Sequence, residues 1–469
     1  MLFNSQIFML FFLPLVLLLW WNRRMNPAWR LGFLTLASYV FYGWWDYRFV
    51  SLLVFSTIVD YFAGGKIVNA NASSSKRFWL AVSLVSNLGL LAFFKYCGFF
   101  AESWNGLAEW LRSGGSIPVP EIILPVGISF YTFQTLSYSI DLYRGNAKPA
   151  RSLLHFAAYV SLFPQLIAGP IVRYRDIEDQ LREIPDSVNW DYFAKGIFFF
   201  VAGMAQKILL ADVIAAQINP LLLHYETLQL AGAWFAMLGY SVQLYFDFAG
   251  YSNMAVGLGL MLGFQFPQNF DSPYKSSSIS EFWRRWHMTL SSWLRDYLFI
   301  PLGGSRGGTI LTLRNLIIVM FLGGLWHGAG WTFVLWGLFH GSLLAINAIW
   351  SKAGLPEVPR PLAVVMTFVA VVFGWALFRS TDVNMCSELW QSMLALNGIE
   401  SSVFAMLDAA GGIKAVAVLS GMLAIVWFSP NLWEIRFKPT VPYALALSSI
   451  FTACMLRFDV QSPFLYFQF

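Results

Sequence analysis

Residues 315–350 read NLIIVMFLGGLWHGAGWTFVLWGLFHGSLLAINAIW, and this stretch contains no Asp, Glu, Lys or Arg. A helix needs about 20 consecutive apolar residues to cross a bilayer. The stretch therefore predicts two successive membrane-spanning helices, at about 315–330 and 331–350.

The rest of the chain has the same character. Of its 469 residues, 58% are hydrophobic and 12% are charged, whereas soluble domains are roughly 45–50% apolar and about 25% charged. The mean hydropathy is +0.59. The net charge of +5 comes from short basic runs between apolar segments, which favours a role in membrane orientation over nucleic-acid binding. The composition predicts an integral membrane protein.

Basic loops set the predicted topology, because Lys and Arg concentrate in cytoplasmic loops. They predict an all-α polytopic membrane protein with about 11–13 membrane segments and both termini outside the cytoplasm. We expect one membrane domain over 1–469, with N-terminal spans in 1–270, a cytoplasmic interfacial amphipathic segment at 275–304, and C-terminal spans with an extracytoplasmic tail in 310–469. Pro164, Gly169 and Pro170 predict a re-entrant or kinked segment that returns to the cytoplasm.

The sequence EFWRRWHMTLSSWLRDYL at 281–298 separates into an apolar face and a charged face when it is placed on one continuous helix. This pattern predicts an amphipathic helix at the cytoplasmic interface. His287 falls on the apolar side, so we expect its ring to point away from water. Such a histidine is either a packing residue or part of a site.

His327 lies inside the apolar stretch, where an ionisable residue is costly and indicates function by default. Burial disfavours the imidazolium, so this ring is expected to stay neutral near pH 7 and to accept a proton. A neutral histidine of this kind is suited to be the general base when a hydroxyl attacks an acyl carbon. The glycines around it, Gly323, Gly324, Gly328 and Gly330, fit either close helix packing or the approach of a thin substrate.

Other charged residues are open to two interpretations. Asp247 either orients a histidine or holds substrate, or it pairs with a buried Arg. Arg284, Arg285 and Arg295, with Lys275, either bind the phosphates of coenzyme A or anchor the cytoplasmic side. His155, His224 and His340 are weaker candidates. The three cysteines are far apart and no ligand spacing predicts a metal site.

Two motifs resemble the signature of the membrane-bound O-acyltransferases, within the branch that acts on bacterial polysaccharides such as alginate and cellulose and that also includes peptidoglycan and teichoic-acid enzymes. They are SEFWRRWHMTLSSWLRDYLFIPLGG at 280–304 and LWHGAGW at 325–331. Four more stretches resemble the same branch, so that the resemblance covers nearly the whole chain: ILPVGISFYTFQTLSYSIDLYRG at 123–145, LFPQLIAGPIVRY at 162–174, YFDFAGYSNMAVGLGLMLGF at 245–264 and FLYFQF at 464–469.

The resemblance implies a transmembrane tunnel that admits an acyl donor from the cytoplasm and an acceptor from outside. The family's near-invariant histidine falls on His327 and its second conserved histidine on His287, which would position the donor or polarise its carbonyl. Trp326, beside the first histidine, becomes a substrate-binding candidate. Tyr466 in the terminal motif is either an interfacial aromatic or a relay for the acyl group.

The function implied is O-acetylation of an exopolysaccharide, with acetyl-CoA as donor and no permanently bound cofactor. The alternatives within the family are peptidoglycan O-acetylation and teichoic-acid acylation. The expected location is the bacterial inner membrane, in contact with membrane lipids. The resemblance implies an extracytoplasmic SGNH-type acetyltransferase subunit and a polysaccharide secretion complex as partners, and no nucleic acid.

Two functions of other classes remain open from the residues alone. A proton-coupled transporter would line its path with His327 and Asp247, but transporters often show broken helices in two matching halves, and the chain has one such segment, at 163–170. A structural scaffold for a secretion complex would tolerate replacement of both histidines.

Overall fold

The computed structural model describes residues 1–112, 114–458 and 464–465. Regular structure in these residues is entirely helical, which confirms the predicted all-α class. Short π-helical turns at Phe8–Phe12, Ala92–Tyr96, Gln206–Ala211 and Arg295–Phe299 continue neighbouring α-helices. The α-helices of the described part are α1 Leu13–Trp20, α2 Pro27–Gly43, α3 Val50–Asn69, α4 Ser73–Leu91, α5 Cys97–Trp110, α6 Ile128–Arg144, α7 Leu153–Ser161, α8 Phe163–Leu166, α9 Tyr174–Arg182, α10 Trp190–Ala205, α11 Asp212–Leu223, α12 Leu230–Met261, α13 Ile279–Arg285, α14 Met288–Leu294, α15 Thr309–His327, α16 Trp331–Lys352, α17 Arg360–Arg379, α18 Val383–Met393, α19 Val403–Ala409, α20 Gly412–Phe428 and α21 Val441–Met455.

Six helical stretches of the described chain are long and apolar enough to cross a membrane: Tyr47–Asn69, Ser73–Trp110, Trp190–Leu223, Thr309–His327, Trp331–Lys352 and Arg360–Arg379. A seventh arises if α19 and α20, which meet at 71°, form one broken span. The larger number predicted from sequence also counts shorter apolar helices such as Phe8–Trp20 and Val441–Met455. The protein is an integral membrane protein built from several apolar helices.

The centre of the bundle is α12, a helix of 32 residues in which almost every side chain is buried. It packs along α10 and also contacts α11 and α17. A helix that is enclosed on all sides carries polar residues only where other residues satisfy them. This makes the environment of Asp247, near the middle of α12, informative about the site.

The segment from α7 to α9 is broken, as the prolines and glycine predict. α7 ends at Ser161, α8 is one short turn, and extended chain leads to α9. Both ends of the segment lie together, since Arg182 lies 3.0 Å from Glu178 and donates to the carbonyl of Pro149, while Lys148 lies 3.9 Å from Glu178. The segment therefore turns back to the side from which it started, in agreement with the predicted re-entrant path.

The prediction of one continuous helix over 281–298 is wrong. α13 ends at Arg285 and α14 begins at Met288, and His287 between them has φ 42°, in the left-handed region. The chain before α13 holds this break open, because Asn269 accepts from the Met288 N–H through its backbone carbonyl. The apolar face is buried inside the protein as expected, but His287 lies in the turn between α13 and α14 and not on a helix face.

Candidate active site

His327 is the last residue of α15 and is 4% exposed. Its ring lies among aromatic rings, with centroid distances of 5.0 Å to Trp326, 4.9 Å to Trp336 and 5.3 Å to Phe378. The helix ends here, and Gly328 and Gly330, which follow it, are in extended conformation. The end of a spanning helix thus delivers an imidazole into an aromatic interior.

Sequence reasoning missed Lys95, which fastens the end of α15. Its Nζ donates to the backbone carbonyls of Trp326 at 2.6 Å and His327 at 3.0 Å, and Tyr96 donates to the carbonyl of Leu325. The last carbonyls of a helix have no partner within it, and a cation favours the negative end of the helix dipole. The signal was available, because Lys95 is an ionisable residue in the apolar run AFFKYCGFF.

Gly324 supports the packing interpretation of the glycines near His327. A methyl group at Gly324 would overlap the Phe333 carbonyl oxygen, and one at Gly337 of α16 would overlap the Met320 carbonyl oxygen. Small residues at these positions let the two helix backbones touch. The close crossing of α15 and α16 places Trp336 of α16 against the His327 ring.

His287 is fully buried and its ring is held by Asn269. The distance from Nδ1 to Asn269 Oδ1 is 3.1 Å, and the same oxygen accepts from the Thr289 N–H and hydroxyl. Because a backbone N–H can only donate, the Asn269 atom is the oxygen, and the network assigns the His287 proton to Nδ1. Burial lowers the pKa of His287 to about 3, so Nε2 presents a lone pair, which no donor in the described chain takes.

Trp326 separates the two histidines. Its ring centroid lies 5.0 Å from His327 and 6.1 Å from His287, and Phe133 stacks on it at 5.2 Å. Residues that are 40 apart in sequence therefore meet around one indole. The structure brings together His327, His287 and Trp326 of the predicted site residues.

Asp247 pairs with a buried cation, which is the second of its two predicted roles, but the cation is a Lys and not an Arg. Its carboxylate lies 2.6 Å from Lys207 Nζ, which also lies 2.7 Å from Asp212. Asp247 Oδ2 accepts from the backbone N–H of Leu465 at 3.0 Å, and Lys207 Nζ lies 5.1 Å from the Phe464 ring centroid. We call Lys207, Asp247 and Asp212 the ion cluster; it binds the part of the C-terminal tail that the structure describes.

Arg284 and Arg295 line one cleft of about 360 Å³ between α13, α14 and α15, together with Trp283. Arg285 pairs with Glu281 at 2.9 Å, and Lys275 donates to the Ser429 carbonyl, so neither of these two lines the cleft. The cleft combines two cationic side chains with an apolar interior. It is suited to a ligand with an anionic end and a thin chain.

The remaining predicted residues lie elsewhere. Tyr466 falls outside the described residues. His155 bonds to Ser152 at 2.8 Å and His224 is exposed. In the part of the chain that the structure describes, no three His, Cys, Asp or Glu side chains form a group suited to a metal ion, and the cysteines are free thiols.

Comparison with known proteins agrees with this geometry. The family model for membrane-bound O-acyltransferases matches residues 144–386, which include both histidines. The chain is 40% identical to the probable alginate O-acetylase AlgI of Azotobacter vinelandii over the whole of both proteins. It is 44% identical to the protein of the same name in Pseudomonas aeruginosa, over 84% of this chain and 75% of the relative.

A relative with another substrate is also close. The chain is 38% identical to the peptidoglycan O-acetyltransferase of Helicobacter pylori, over 85% of this chain and 81% of the relative. The extent of these matches and the pair of histidines around Trp326 lead to one assignment. The chain belongs to the membrane-bound O-acyltransferase family and is an O-acyltransferase of the membrane.

Proposed function

We propose that this protein moves an acetyl group from a cytoplasmic thioester donor, acetyl-CoA, across the bacterial inner membrane for O-acetylation of an exopolysaccharide such as alginate or cellulose. The observation that carries the proposal is the placement of His327 and His287 around Trp326 in a buried aromatic interior. The identity to alginate O-acetylases over the full chain supports alginate as the first substrate to test. Peptidoglycan is the second, because of the Helicobacter pylori relative.

In this mechanism a ring nitrogen of His327 accepts the proton of the acceptor hydroxyl while the hydroxyl oxygen bonds to the acyl carbon. The C–S bond of the tetrahedral intermediate then breaks, and the thiolate takes the proton from the imidazolium. The products are the ester and the free thiol. His287 offers a lone pair at Nε2, so the tautomer set by Asn269 favours holding a hydroxyl over polarising a carbonyl.

The cleft supports entry of the donor from the cytoplasm. Arg284 and Arg295 line it, and they belong to the segment for which the Lys and Arg pattern predicts the cytoplasmic side. Guanidinium groups bind phosphates well, so the nucleotide end of the donor would stay at the arginines while its acyl end reaches inward. Both termini would then lie outside the cytoplasm, and Tyr466 would act at the outer side as an acyl relay.

The acceptor is a long glycan, and an extracytoplasmic partner of the SGNH type would complete transfer to it, within a polysaccharide secretion complex. This part of the proposal rests on the family resemblance. It predicts that the protein alone, without the partner, leaves the polysaccharide unmodified.

The test is the acetyl content of purified surface polysaccharide from cells that express the wild type, His327→Ala, His287→Ala or His224→Ala at equal membrane levels. His224 is exposed and serves as the matched histidine control. Since a general base contributes about 10²–10⁴-fold, we expect His327→Ala to reduce acetylation by at least about 100-fold, while His224→Ala leaves it unchanged. Full acetylation in His327→Ala would show that this histidine takes no part in the reaction. Separate analysis of alginate, cellulose and peptidoglycan fractions identifies the acceptor.

A further inference from the structure

Three clustered ring systems, one of which contacts His327, bury polar nitrogens for which the described chain offers no hydrogen-bond partner. They are Trp283 Nε1, Trp336 Nε1 and both ring nitrogens of His340. Trp336 is 1% exposed, His340 is 0% exposed and Trp283 is 8% exposed. Buried N–H groups in proteins are nearly always bonded, so each exception calls for an explanation.

Several buried indoles elsewhere in the described chain are hydrogen-bonded, although Trp427 Nε1 in α20 is another exception. Trp20 donates to the Leu262 carbonyl at 2.9 Å, Trp293 to the Phe133 carbonyl at 3.0 Å, and Trp375 to the Tyr274 hydroxyl at 3.0 Å. The fold is therefore able to satisfy indole N–H groups in its interior. The residues around His327 are arranged differently.

The three rings form one cluster, which we call the indole–imidazole cluster (Trp283, Trp336 and His340). Ring centroids lie 5.6 Å apart for Trp283 and Trp336, 5.3 Å for Trp283 and His340, and 4.8 Å for Trp336 and His340. The Trp336 ring also lies 4.9 Å from His327. One edge of the cluster thus contacts the proposed base.

The opposite edge of the cluster reaches the cleft. Trp283 lines the cleft that also contains Arg284 and Arg295. From the cleft inward, the ring contacts run from Trp283 to Trp336 and from Trp336 to His327. The cluster therefore lies between the arginines of the cleft and the proposed base.

The chemistry of the cluster selects a class of ligand. Indole nitrogens donate and cannot accept, and the cluster itself has no charged side chain to pair with an anion. It therefore fits a neutral ligand with oxygen acceptors, such as carbonyl and amide groups on a thin apolar chain. Aromatic walls add contact area for such a chain.

We propose that the indole–imidazole cluster binds the thioester end of the acyl donor and that Trp336 Nε1 donates to the acyl carbonyl oxygen. This inference rests on the proposed function. It supplies a donor that His287 lacks, because the Asn269 bond leaves His287 Nε2 as an acceptor. Carbonyl activation and hydroxyl activation are then assigned to different rings.

The step balances. When the hydroxyl oxygen bonds to the acyl carbon, the carbonyl electron pair moves to the oxygen, where the Trp336 N–H stabilises the negative charge, and His327 holds the hydroxyl proton. When the pair returns, the C–S bond breaks and the thiolate takes that proton. Trp336 donates a hydrogen bond throughout and transfers no proton.

The test is Trp336→Phe, which keeps a ring at this position and removes the N–H. Acetyl transfer from labelled acetyl-CoA is measured in membranes that contain the full chain with its native complex, at equal amounts of inserted protein. Since loss of one donor to a developing oxyanion costs about 10²–10³-fold in kcat, we expect a fall of about 100-fold in kcat with the KM for acetyl-CoA within about threefold. Trp375→Phe is the matched control, because Trp375 stacks on Trp336 at 20° and gives its N–H to Tyr274.

A kcat for Trp336→Phe equal to that of Trp375→Phe would overturn the inference, and so would a rise in KM with unchanged kcat. If Trp336→Phe fails to insert, Trp283→Phe is measured instead, with an expected rise of about fivefold in the KM for acetyl-CoA from loss of one uncharged hydrogen bond; an unchanged KM would reject the cluster as the donor site. Acetylation that survives His327→Ala contradicts the proposed function, whereas an inactive His327→Ala beside a fully active Trp336→Phe contradicts only this inference.

Discussion

The ion cluster and the histidine centre (His327, His287, Trp326 and Lys95) are both buried and both contain ionisable groups, yet they are built in opposite ways. In the ion cluster Lys207 lies 2.6 Å from Asp247 and 2.7 Å from Asp212, so that opposite charges face each other. In the histidine centre Lys95 is directed at main-chain carbonyls, and no carboxylate of the described chain pairs with it.

The difference indicates a structural role for the ion cluster and agrees with the chemical role proposed for the histidine centre. Buried charges that neutralise each other cost much less than unpaired ones and fix the elements that carry them, and the ion cluster also binds the backbone of Leu465. A carboxylate beside a histidine would stabilise the imidazolium, whereas a nearby ammonium disfavours it. The centre around His327 is thus suited to neutral bases.

The strongest test of this contrast is Lys207→Met. It leaves Asp247 and Asp212 buried without their cation, which costs about 3–5 kcal/mol. We expect a large fall in the thermal midpoint of the purified protein and in its amount in the membrane. The measurement is thermal unfolding in detergent, beside wild type.

The double variant Lys207→Met with Asp247→Asn is the control, because it removes one charge of each sign. It is expected to recover much of the lost stability. If the double variant is as unstable as the single one, the cluster does not act through charge pairing, and the structural half of the comparison is lost.

The second test is Lys95→Met, which removes the donor from the carbonyls of Trp326 and His327. Each unsatisfied buried carbonyl costs about 1–3 kcal/mol, and the end of α15 is released. We expect kcat for acetyl transfer to fall by roughly tenfold or more, as misplacement of a catalytic group does, with the KM for acetyl-CoA little changed.

Lys95→Arg separates positioning from bulk stability, since it keeps the charge and the donors. It is expected to retain more activity per inserted molecule than Lys95→Met. Equal activities in these two variants, or full activity per molecule in Lys95→Met, would show that Lys95 does not position His327.

Sequence reasoning found His327 because an ionisable residue in an apolar run is a local signal, and it found His287 through the family resemblance. The same signal marks Lys95, but its partners are backbone carbonyls more than 200 residues away. No pattern of side chains in the sequence predicts such partners. The partner of Asp247 was left open for a similar reason. Only the packing of the π-helical turn Gln206–Ala211 on α12 shows that it is Lys207.

The break at His287 was not predictable from the pattern of 281–298, which is amphipathic on a continuous helix. Tertiary bonds to Asn269 stabilise the left-handed residue there and outweigh the local helical preference. By contrast, the helices at 309–327 and 331–352 and the broken segment at 153–182 followed from apolar length and from proline and glycine positions, because these act through the backbone itself.

A third set of charges shows how much of this contrast depends on burial. Asp296, near α14, accepts hydrogen bonds from Arg173 at 2.7 Å and Arg295 at 2.7 Å, and its side chain is 20% exposed. Burial by itself would raise the pKa of Asp296, but the hydrogen bonds and charges of the two arginines outweigh it and lower the pKa below its usual 3.8. The carboxylate therefore stabilises the fold above about pH 4, and this contribution is lost as the pH falls through the lower, folded-state pKa.

Asp296→Asn is accordingly the smallest effect that we predict. Because water screens a partly exposed pair, the substitution should cost roughly 0.5–1 kcal/mol at pH 7. Thermal unfolding of wild type and variant is compared at pH 7 and again at the lowest pH at which both refold; the difference should shrink as Asp296 protonates. A cost at pH 7 as large as that of Lys207→Met would mean that exposure does not weaken ion pairs in this protein. Burial would then not explain the stabilising effect of the ion cluster, and its contrast with the histidine centre would be lost.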